Sequence, residues 1–227
     1  DFKFICANSL LSLEDDSDKI TLTEIKDLEA TLKQIRHEFF KTKSIKKKED
    51  LVKKYKKATY RDSLFDESLR TKQLKSYQPF NSEVQSSFFD PDYMFGVESF
   101  DLVIGNPPYI KEPTNRSAFD GLRDSKYYMG KGDIWYIFNC IMIDYLKKGG
   151  LLSFIAQNNW VSNFGAKKLR KKIKENTKII ELLDFGNYMV FESAKTQTML
   201  MFFKKDNKNE NIDFLYKKII NAKPKQL

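Results

Sequence analysis

The sequence has little of the chemistry that metal centres, disulfide scaffolds and nucleophilic catalysis require. Its 227 residues include one histidine, His37, and two cysteines, Cys6 and Cys140, which lie far apart in the chain. This set cannot supply the four ligands of a structural zinc site, so we expect no metal centre. Two distant cysteines in apolar segments indicate buried reduced thiols, which is typical of a cytoplasmic protein. No apolar run approaches ~18 residues, so we expect no membrane-spanning helix and no membrane partner.

The composition is that of a globular protein with excess positive charge. Apolar residues make up 41% of the chain, which is enough for a core. Forty lysines and arginines against 31 aspartates and glutamates give a net charge of +9, which favours an anionic partner, most often nucleic acid. Nine lysines lie between residues 41 and 57, against Glu49 and Asp50 alone. They form either a solvated helix or a surface that contacts phosphates.

The pattern of apolar residues changes near residue 86. Before that point the spacing is helical, and from residue 100 onward apolar strands alternate with helices. This pattern predicts an α/β sheet with helices on both faces, preceded by a helical insertion. We predict four segments along the chain: a remnant strand of the sheet within residues 1–10, a basic helical insertion at 11–85, the α/β core at 86–205 and the start of a linker at 206–227.

One short segment combines residue types suited to chemistry. Asn106, Pro107, Pro108 and Tyr109 directly follow an apolar run, residues 100–105, that reads as a strand. At average residue usage this tetrapeptide arises by chance in roughly one chain per thousand of this length. It lies at the carboxyl end of the strand, where open α/β sheets bind their ligands. The structural alternative is a rigid proline turn that only caps the strand.

These residue types suit a planar group that bears an NH2. Two prolines remove two backbone N–H donors, which leaves carbonyl acceptors and the side-chain oxygen of Asn106. Tyr109 supplies an aromatic face. If the Asn106 oxygen and the Pro107 carbonyl accept both amine hydrogens, the nitrogen is drawn toward tetrahedral geometry and its lone pair becomes available to an electrophile. This chemistry requires no strong base, which fits a chain that lacks one.

The segment resembles motif IV of the amino-group DNA methyltransferases, which use S-adenosylmethionine. Other parts of the chain resemble the catalytic core of type IIG restriction–modification enzymes and related phage-defence adenine methyltransferases: residues 88–96, 133–136, 149–155, 158–160, 169–170, 184–186, 190–191 and 196–198. The resemblance covers about residues 86–204. It implies a partial Rossmann-like, S-adenosylmethionine-dependent methyltransferase sheet, from a family whose strand order is 3-2-1-4-5-7-6.

The resemblance also implies roles for individual residues. Asn106, Pro107, Pro108 and Tyr109 would hold an adenine flipped out of double-stranded DNA. Tyr109 and Phe191 would stack on the base, and Asn8 would contact the cofactor's adenine. The basic helix after residue 163 offers candidate DNA contacts at Lys167, Lys168, Arg170 and Lys171.

The sequence departs from the family pattern at the cofactor site. It contains no glycine-rich loop after a strand and no acidic residue placed to bind the ribose. We therefore expect a portion of a longer protein that begins after the family's first two strands and does not bind the cofactor measurably by itself. We also expect an open edge on the strand at 100–105, which invites self-association, and non-native packing, pairing between chains or poor order of residues 1–10.

Four other functions fit the same sequence. Release-factor glutamine methyltransferases carry the same Asn-Pro-Pro-Tyr, because a side-chain amide is also a planar NH2. RNA adenine methylation uses similar chemistry. A DNA-binding or scaffolding module with an inactive pocket, and a structural lysine-rich domain, both account for the charge without catalysis.

Overall fold

The computed structural model describes residues 4–14, 22–60, 69–81, 83–191, 196–206 and 213–220. It divides into two compact units, residues Asp1–Glu98 and Ser99–Leu227. This division does not fall at the predicted segment boundary after residue 85. The stretch that follows residue 85 belongs to the first unit, because Phe88, Tyr93 and Met94 are buried in that unit's hydrophobic core.

The first unit is helical. Its helices are α1 (Leu22–Lys41), α2 (Ile45–Thr59), α3 (Leu69–Ser76) and α4 (Pro91–Phe95). Ser44 caps α2 by accepting a hydrogen bond from the Lys47 amide, and Asp90 caps α4 through the Tyr93 amide. The helices contribute one apolar side each to a shared core that contains Leu32, Ile35, Leu51, Tyr55, Leu74 and Met94.

The start of the chain differs from the strand predicted within residues 1–10. Phe2 lies outside the described residues, and the described residues Phe4–Cys6 form no strand. Ala7 instead forms a single parallel bridge with Ser86, supported by hydrogen bonds from the Asn8 amide to the Ser86 carbonyl and from the Ser86 amide to the Cys6 carbonyl. Cys6 is exposed rather than buried, whereas Cys140 is buried as predicted.

The second unit contains a five-stranded mixed sheet. Its strands are β1 (Phe100–Gly105), β2 (Leu146–Gln157), β3 (Thr177–Asp184), β4 (Thr198–Lys205) and β5 (Leu215–Lys218). Their order is β1-β2-β4-β3-β5, with β1 parallel to β2 and β4 antiparallel to both of its neighbours. The first four strands reproduce the 4-5-7-6 part of the order that the resemblance implies. The α/β fold class is confirmed.

One face of this sheet carries the core. Side chains of β2 and β4, including Phe154, Met201 and Phe203, pack against α5 (Ile134–Asp144) and α6 (Lys167–Asn176). The opposite face presents Leu102, Ile104 and Leu151, which are 53%, 73% and 46% exposed. Helices were expected on both faces, but among the described residues of this unit the helices α5 and α6 cover one.

The predicted linker at 206–227 is wrong where it meets the sheet. Residues 215–218 form β5, parallel to β3, and the Ile219 amide donates to the Asp184 carbonyl. The Tyr216 hydroxyl donates to the Asp184 carboxylate, and Lys217 pairs with Glu181. The strand escaped prediction because all four of its residues are exposed, so it lacks the apolar alternation of a half-buried strand.

In the described part of the chain, no helix is long and apolar enough to cross a bilayer.

The attachment of β5 depends on a glycine. Gly186 has a φ of +55°, and a Cβ at this position would lie 2.7 Å from the Ile219 carbonyl oxygen. We expect Gly186→Ala to destabilise the second unit by about 2–4 kcal/mol, since strain and overpacking act together. Urea unfolding followed by tryptophan fluorescence measures this, because Trp135 and Trp160 are both buried in that unit.

The matched control is Gly149→Ala. Gly149 also has a left-handed φ, +82°, but a Cβ there would meet only the end of the Lys204 side chain at 3.9 Å. Its cost is therefore limited to the backbone strain, about 1 kcal/mol. Equal losses of stability in the two variants would contradict a role for the contact with Ile219.

Candidate functional site

The segment Asn106–Tyr109 begins directly after β1, as predicted. Asn106 and Pro108 are exposed, Pro107 is buried and Tyr109 is half-buried. Gly105 ends the strand, and a Cβ there would lie 2.9 Å from the ring of Phe154. The close approach of β1 to this core residue fixes where the exposed segment leaves the sheet.

The hydroxyl of Tyr109 links the segment to the neighbouring strand. It lies 2.9 Å from Asn106 Oδ1 and 2.9 Å from the Ile155 carbonyl oxygen of β2. Burial, together with the nearby charge of Asp133, raises the pKa of Tyr109 to about 12. The hydroxyl therefore stays protonated at neutral pH and acts as a donor. Asn106 Oδ1 keeps a second lone pair for another donor.

The chain after Tyr109 leaves and returns as a closed loop. Lys111 and Asp133 form an antiparallel bridge, with hydrogen bonds from the Ile134 amide to the Ile110 carbonyl and from the Glu112 amide to the Gly132 carbonyl. We call the paired segments 110–112 and 131–134 the neck. The neck holds both ends of the loop together, so the position of Tyr109 is tied to the start of α5.

Asp133 is at the centre of the neck. Its Oδ1 accepts a hydrogen bond from the Ile110 amide at 3.0 Å and a longer one, 3.4 Å, from the Trp135 amide. The same carboxyl caps the N-terminus of α5. Its residue is 3% exposed, and Oδ2 has no partner among the described residues. Burial raises the pKa of Asp133 to about 6, against the lowering effect of the backbone amides.

Glu112 is the second buried carboxyl of the neck, with 8% of the residue exposed. It accepts hydrogen bonds from the Tyr128 hydroxyl at 2.6 Å and from the Lys131 amide at 2.9 Å, and Arg123 lies 3.7 Å away. The Tyr128 hydrogen bond is the main cause of a lowered pKa of Glu112. Lys131 has a φ of +51°, and its bond to the ionised Glu112 stabilises this strained conformation.

The neck also packs against the segment before α6. A Cβ at Gly165 would lie 2.8 Å from the Gly132 Cα and 3.0 Å from the Lys131 carbonyl oxygen, so only glycine allows the two backbones to approach this closely. On the same side, the Tyr136 hydroxyl donates to Asn159 Oδ1 at 3.1 Å. The neck is therefore fixed by contacts with α5 and with the β2–α6 connection.

The four predicted DNA contacts on α6 differ in what they do. The Arg170 guanidinium donates to the carbonyls of Trp160 and Asn163, both at 2.6 Å, and so stabilises the turn before the helix. Lys171 forms an ion pair with Glu175 at 3.8 Å. Lys168 is half-buried and Lys167 is exposed. The structure thus gives Arg170 a local structural role, and DNA contact by these residues stays a prediction.

Two further predicted site residues remain untested. Phe191 is half-buried and is the last described residue before the gap at 192–195. Asn8 belongs to the first unit, where its Oδ1 accepts a hydrogen bond from the Leu10 amide at 3.2 Å. Their roles in base stacking and in cofactor binding stay predictions.

The described residues do not fit the cofactor's usual contacts. Two described strands end in polar or acidic residues that are already bonded. Asn158, at the end of β2, donates to Asp184 Oδ1 at 3.0 Å, and Asp184, at the end of β3, also accepts from Gly186 and Tyr216. No described strand leads into a Gly-x-Gly loop. We therefore assign no described residue to the cofactor, and the role of Asn8 stays a prediction.

Sequence reasoning assigned no function to Asp133 and Glu112. Asp133 did carry a signal, since an aspartate directly before an apolar helical run is a typical N-cap. Its second role, as acceptor for the Ile110 amide, depends on a loop closure over 23 residues. Such a closure leaves no local pattern in the sequence.

The raised pKa of Asp133 predicts a pH dependence of stability. An aspartate titrates near 3.9 in the unfolded chain, so between about pH 4 and 6 the folded state holds the proton more tightly. This contribution to stability is full below pH 4 and is lost as the pH rises through 6. We expect Asp133→Asn to become more stable relative to the unsubstituted chain, by on the order of 1–3 kcal/mol, between pH 4.5 and 7.5.

Urea unfolding at both pH values, followed by tryptophan fluorescence, tests this because Trp135 is two residues from Asp133. Asp124→Asn is the matched control, since Asp124 is an exposed carboxyl of the same loop. A difference in stability between Asp133→Asn and the unsubstituted chain that does not change with pH would contradict a raised pKa of the buried Asp133 carboxyl.

Comparison with known proteins places this geometry in a family. A family model described as Eco57I restriction-modification methylase matches residues 4–191. The type II methyltransferase M.BanIII of Aneurinibacillus aneurinilyticus is 34% identical over 124 residues, which are 54% of this chain and 21% of that protein. The type II restriction enzyme and methyltransferase RM.Eco57I of Escherichia coli is 33% identical over 120 residues, which are 51% of this chain and 12% of that protein.

The similarity covers only part of each relative. Type II methyltransferase M.HincII of Haemophilus influenzae is 28% identical over 60% of this chain and 26% of that protein, so the chain spans between about an eighth and a quarter of the length of these relatives. Among solved structures, the type IIG restriction endonuclease BpuSI is 11% identical over 84% of this chain and 26% of that chain, with a TM-score of 0.38. The family model matches well over half of the chain, including the whole segment from β1 to β3, and the chain belongs to the Eco57I restriction-modification methylase family.

Proposed function

We propose that this chain is part of a site-specific DNA methyltransferase that transfers a methyl group from S-adenosylmethionine to N6 of an adenine in double-stranded DNA. The observation that carries the proposal is the exposed Asn106 at the carboxyl end of β1, with Tyr109 hydrogen-bonded to it. Membership of the Eco57I family supports a place in a restriction–modification enzyme. A base inside a duplex is inaccessible, so the target adenine is flipped out of the stack.

The chain's own residues would bind and orient the target amine. The Asn106 side-chain oxygen and the Pro107 carbonyl accept the two amine hydrogens, and the Tyr109 ring lies against the base. The Tyr109 hydroxyl shares its one hydrogen between Asn106 Oδ1 and the Ile155 carbonyl, each 2.9 Å away. Both the acceptor and the ring are therefore held before substrate arrives. Acceptors that are already in position need no rearrangement during the reaction. They therefore stabilise the transition state more effectively than groups that must first move.

DNA contact outside the pocket is proposed for the basic surface of α6. Lys167 and Lys168 lack an ion pair among the described residues, whereas Lys171 has a weak one with Glu175. Phosphate contacts by these residues would make DNA binding fall with rising salt. Arg170 contributes by holding the turn at residues 160–163 beneath this surface.

The first experiment measures methyl transfer from labelled S-adenosylmethionine to duplex DNA by the protein that carries this chain. We expect label on N6 of adenine, and a loss of at least about a hundredfold in Asn106→Ala, since that variant lacks one of the two amine acceptors. Asn176→Ala, at the end of α6, is the matched control and should keep full activity.

Other outcomes of this experiment separate the alternatives. Label on a release-factor glutamine or on RNA would move the assignment to another methyltransferase class. Label on cytosine would keep DNA as substrate but reject adenine. Salt-sensitive DNA binding without any transfer would favour a binding module.

A second proposal concerns the open edge of the sheet. Among the described residues β1 pairs only with β2, and its exposed side chains Leu102 and Ile104 are apolar. Unpaired strand edges of this kind promote association between chains. We expect the chain to self-associate at micromolar concentrations and Ile104→Lys to weaken that association at least about tenfold, because a lysine on an edge strand opposes pairing.

Sedimentation velocity over a concentration series measures the association. Val161→Lys is the control, because Val161 is an exposed apolar residue, 55% accessible, that lies in the short helix after β2 and not on β1. A monomer at all concentrations, or an equal effect of both lysines, would contradict association through β1.

A further inference from the structure

We propose that Asp133 is a positioning residue of the methyl-transfer site, which holds the acceptor segment Asn106–Tyr109 in place through the Ile110 amide. This inference rests on the proposed function. It names a residue that does not touch the substrate and that acts through the backbone next to Tyr109.

The first support is the geometry of the hydrogen bonds. Ile110 directly follows Tyr109, and its amide donates to Asp133 Oδ1 at 3.0 Å. The Ile134 amide returns a bond to the Ile110 carbonyl at 2.9 Å. Both backbone groups of Ile110 are therefore bonded to the start of α5, one through the Asp133 carboxyl and one through the chain beside it.

The second support is the rigidity of what Asp133 is attached to. Asp133 caps α5, and Trp135, Tyr136 and Ile137 in the next turns are each at most 3% exposed. The backbone of the neck residue Gly132 packs closely against the backbone of Gly165. A tether is only useful if its far end does not move, and this end is built into the hydrophobic core.

The third support is that the carboxyl is buried at a cost that a capping role does not require. An exposed aspartate would cap α5 equally well, yet Asp133 is 3% exposed with Oδ2 unpartnered among the described residues. Three titratable groups interact electrostatically with the Asp133 carboxyl: Tyr109, Tyr136 and Lys111. None of them neutralises it by a hydrogen bond. The buried position of the Asp133 carboxyl is explained by its hydrogen bond with the Ile110 amide.

Small displacements of the acceptor segment matter for the chemistry. The amine must present its lone pair along the line of attack, and misplacement by about 1 Å can cost a hundredfold in rate. Loss of the Asp133 bond removes one of the two bonds that hold Ile110, four residues after Asn106, and leaves the Ile134 amide as its partner. The expected defect is therefore in turnover rather than in the binding of either substrate.

The test compares Asp133→Ala with Asp133→Asn in the protein that carries this chain. The asparagine oxygen can still accept the Ile110 amide, whereas alanine cannot. We expect kcat for methyl transfer to fall at least about tenfold in Asp133→Ala, with KM for DNA and for S-adenosylmethionine changed less than about threefold. Asp133→Asn should keep kcat within about threefold.

Three further measurements separate positioning from loss of fold. Ile143→Ala creates a cavity at the far end of α5, where the residue is fully buried, and lowers stability without touching the neck; its kcat per folded molecule should be unchanged. Hydrogen exchange should show faster exchange of the Ile110 amide in Asp133→Ala and not in Asp133→Asn. Gly165→Ala pushes on the neck from its other side and should reproduce the kcat defect with Asp133 intact.

The outcomes are distinguishable. Turnover that survives Asp133→Ala while Asn106→Ala abolishes it would overturn the positioning role and leave the proposed function standing. Equal losses in Asp133→Ala and Asp133→Asn, or a loss seen only in KM, would also overturn it. Absence of methyl transfer by the unsubstituted protein would overturn the proposed function and this inference together.

Discussion

The hydrogen bond between the Ile110 amide and the Asp133 carboxyl is the interaction on which the candidate site depends. It closes a loop that starts at the end of β1 and ends at the start of α5. Because α5 is packed into the core of the second unit, this bond restricts the movement of the exposed segment that it joins to α5. Without it, the far end of the segment would be held by the Ile134–Ile110 and Glu112–Gly132 backbone bonds and by the Tyr109 hydroxyl alone.

Two buried carboxyls in the neck act in different ways. Asp133 is buried with one oxygen unpartnered, and desolvation raises its pKa to about 6. Glu112 is buried with strong donors, and the Tyr128 hydrogen bond leads the effects that lower its pKa. The ionised Glu112 holds the strained Lys131 backbone on the returning side of the loop. The hydrogen-bond partners decide the difference between the two carboxyls. Asp133 is desolvated and accepts backbone amides, whereas Glu112 accepts the Tyr128 hydroxyl and stays ionised.

Sequence reasoning predicted the parts of the fold that have a periodic signal. The strand β1 occupies the apolar run at residues 100–105, and the basic helix expected after residue 163 is α6 (Lys167–Asn176), since buried faces impose alternation or helical spacing. It failed for β5, whose residues are all exposed, and for the boundary after residue 85, which the burial of Phe88 and Met94 moved. The bonds of the Arg170 guanidinium to the carbonyls of Trp160 and Asn163 were not predicted, and its contact with DNA stays a prediction.

The sequence by itself determined where the candidate chemistry is, because Asn106-Pro107-Pro108-Tyr109 directly follows an apolar strand. The prolines restrict the backbone locally, and the strand places the segment at the carboxyl edge of the sheet. Only the tertiary structure decided how that segment is held. The partners of Ile110, Tyr109 and Glu112 lie between 16 and 46 residues away, and hydrogen bonds over such separations leave no pattern in neighbouring residues. Local constraints can be read from a sequence, whereas loop closures and the burial of single carboxyls depend on which surfaces meet when the chain folds.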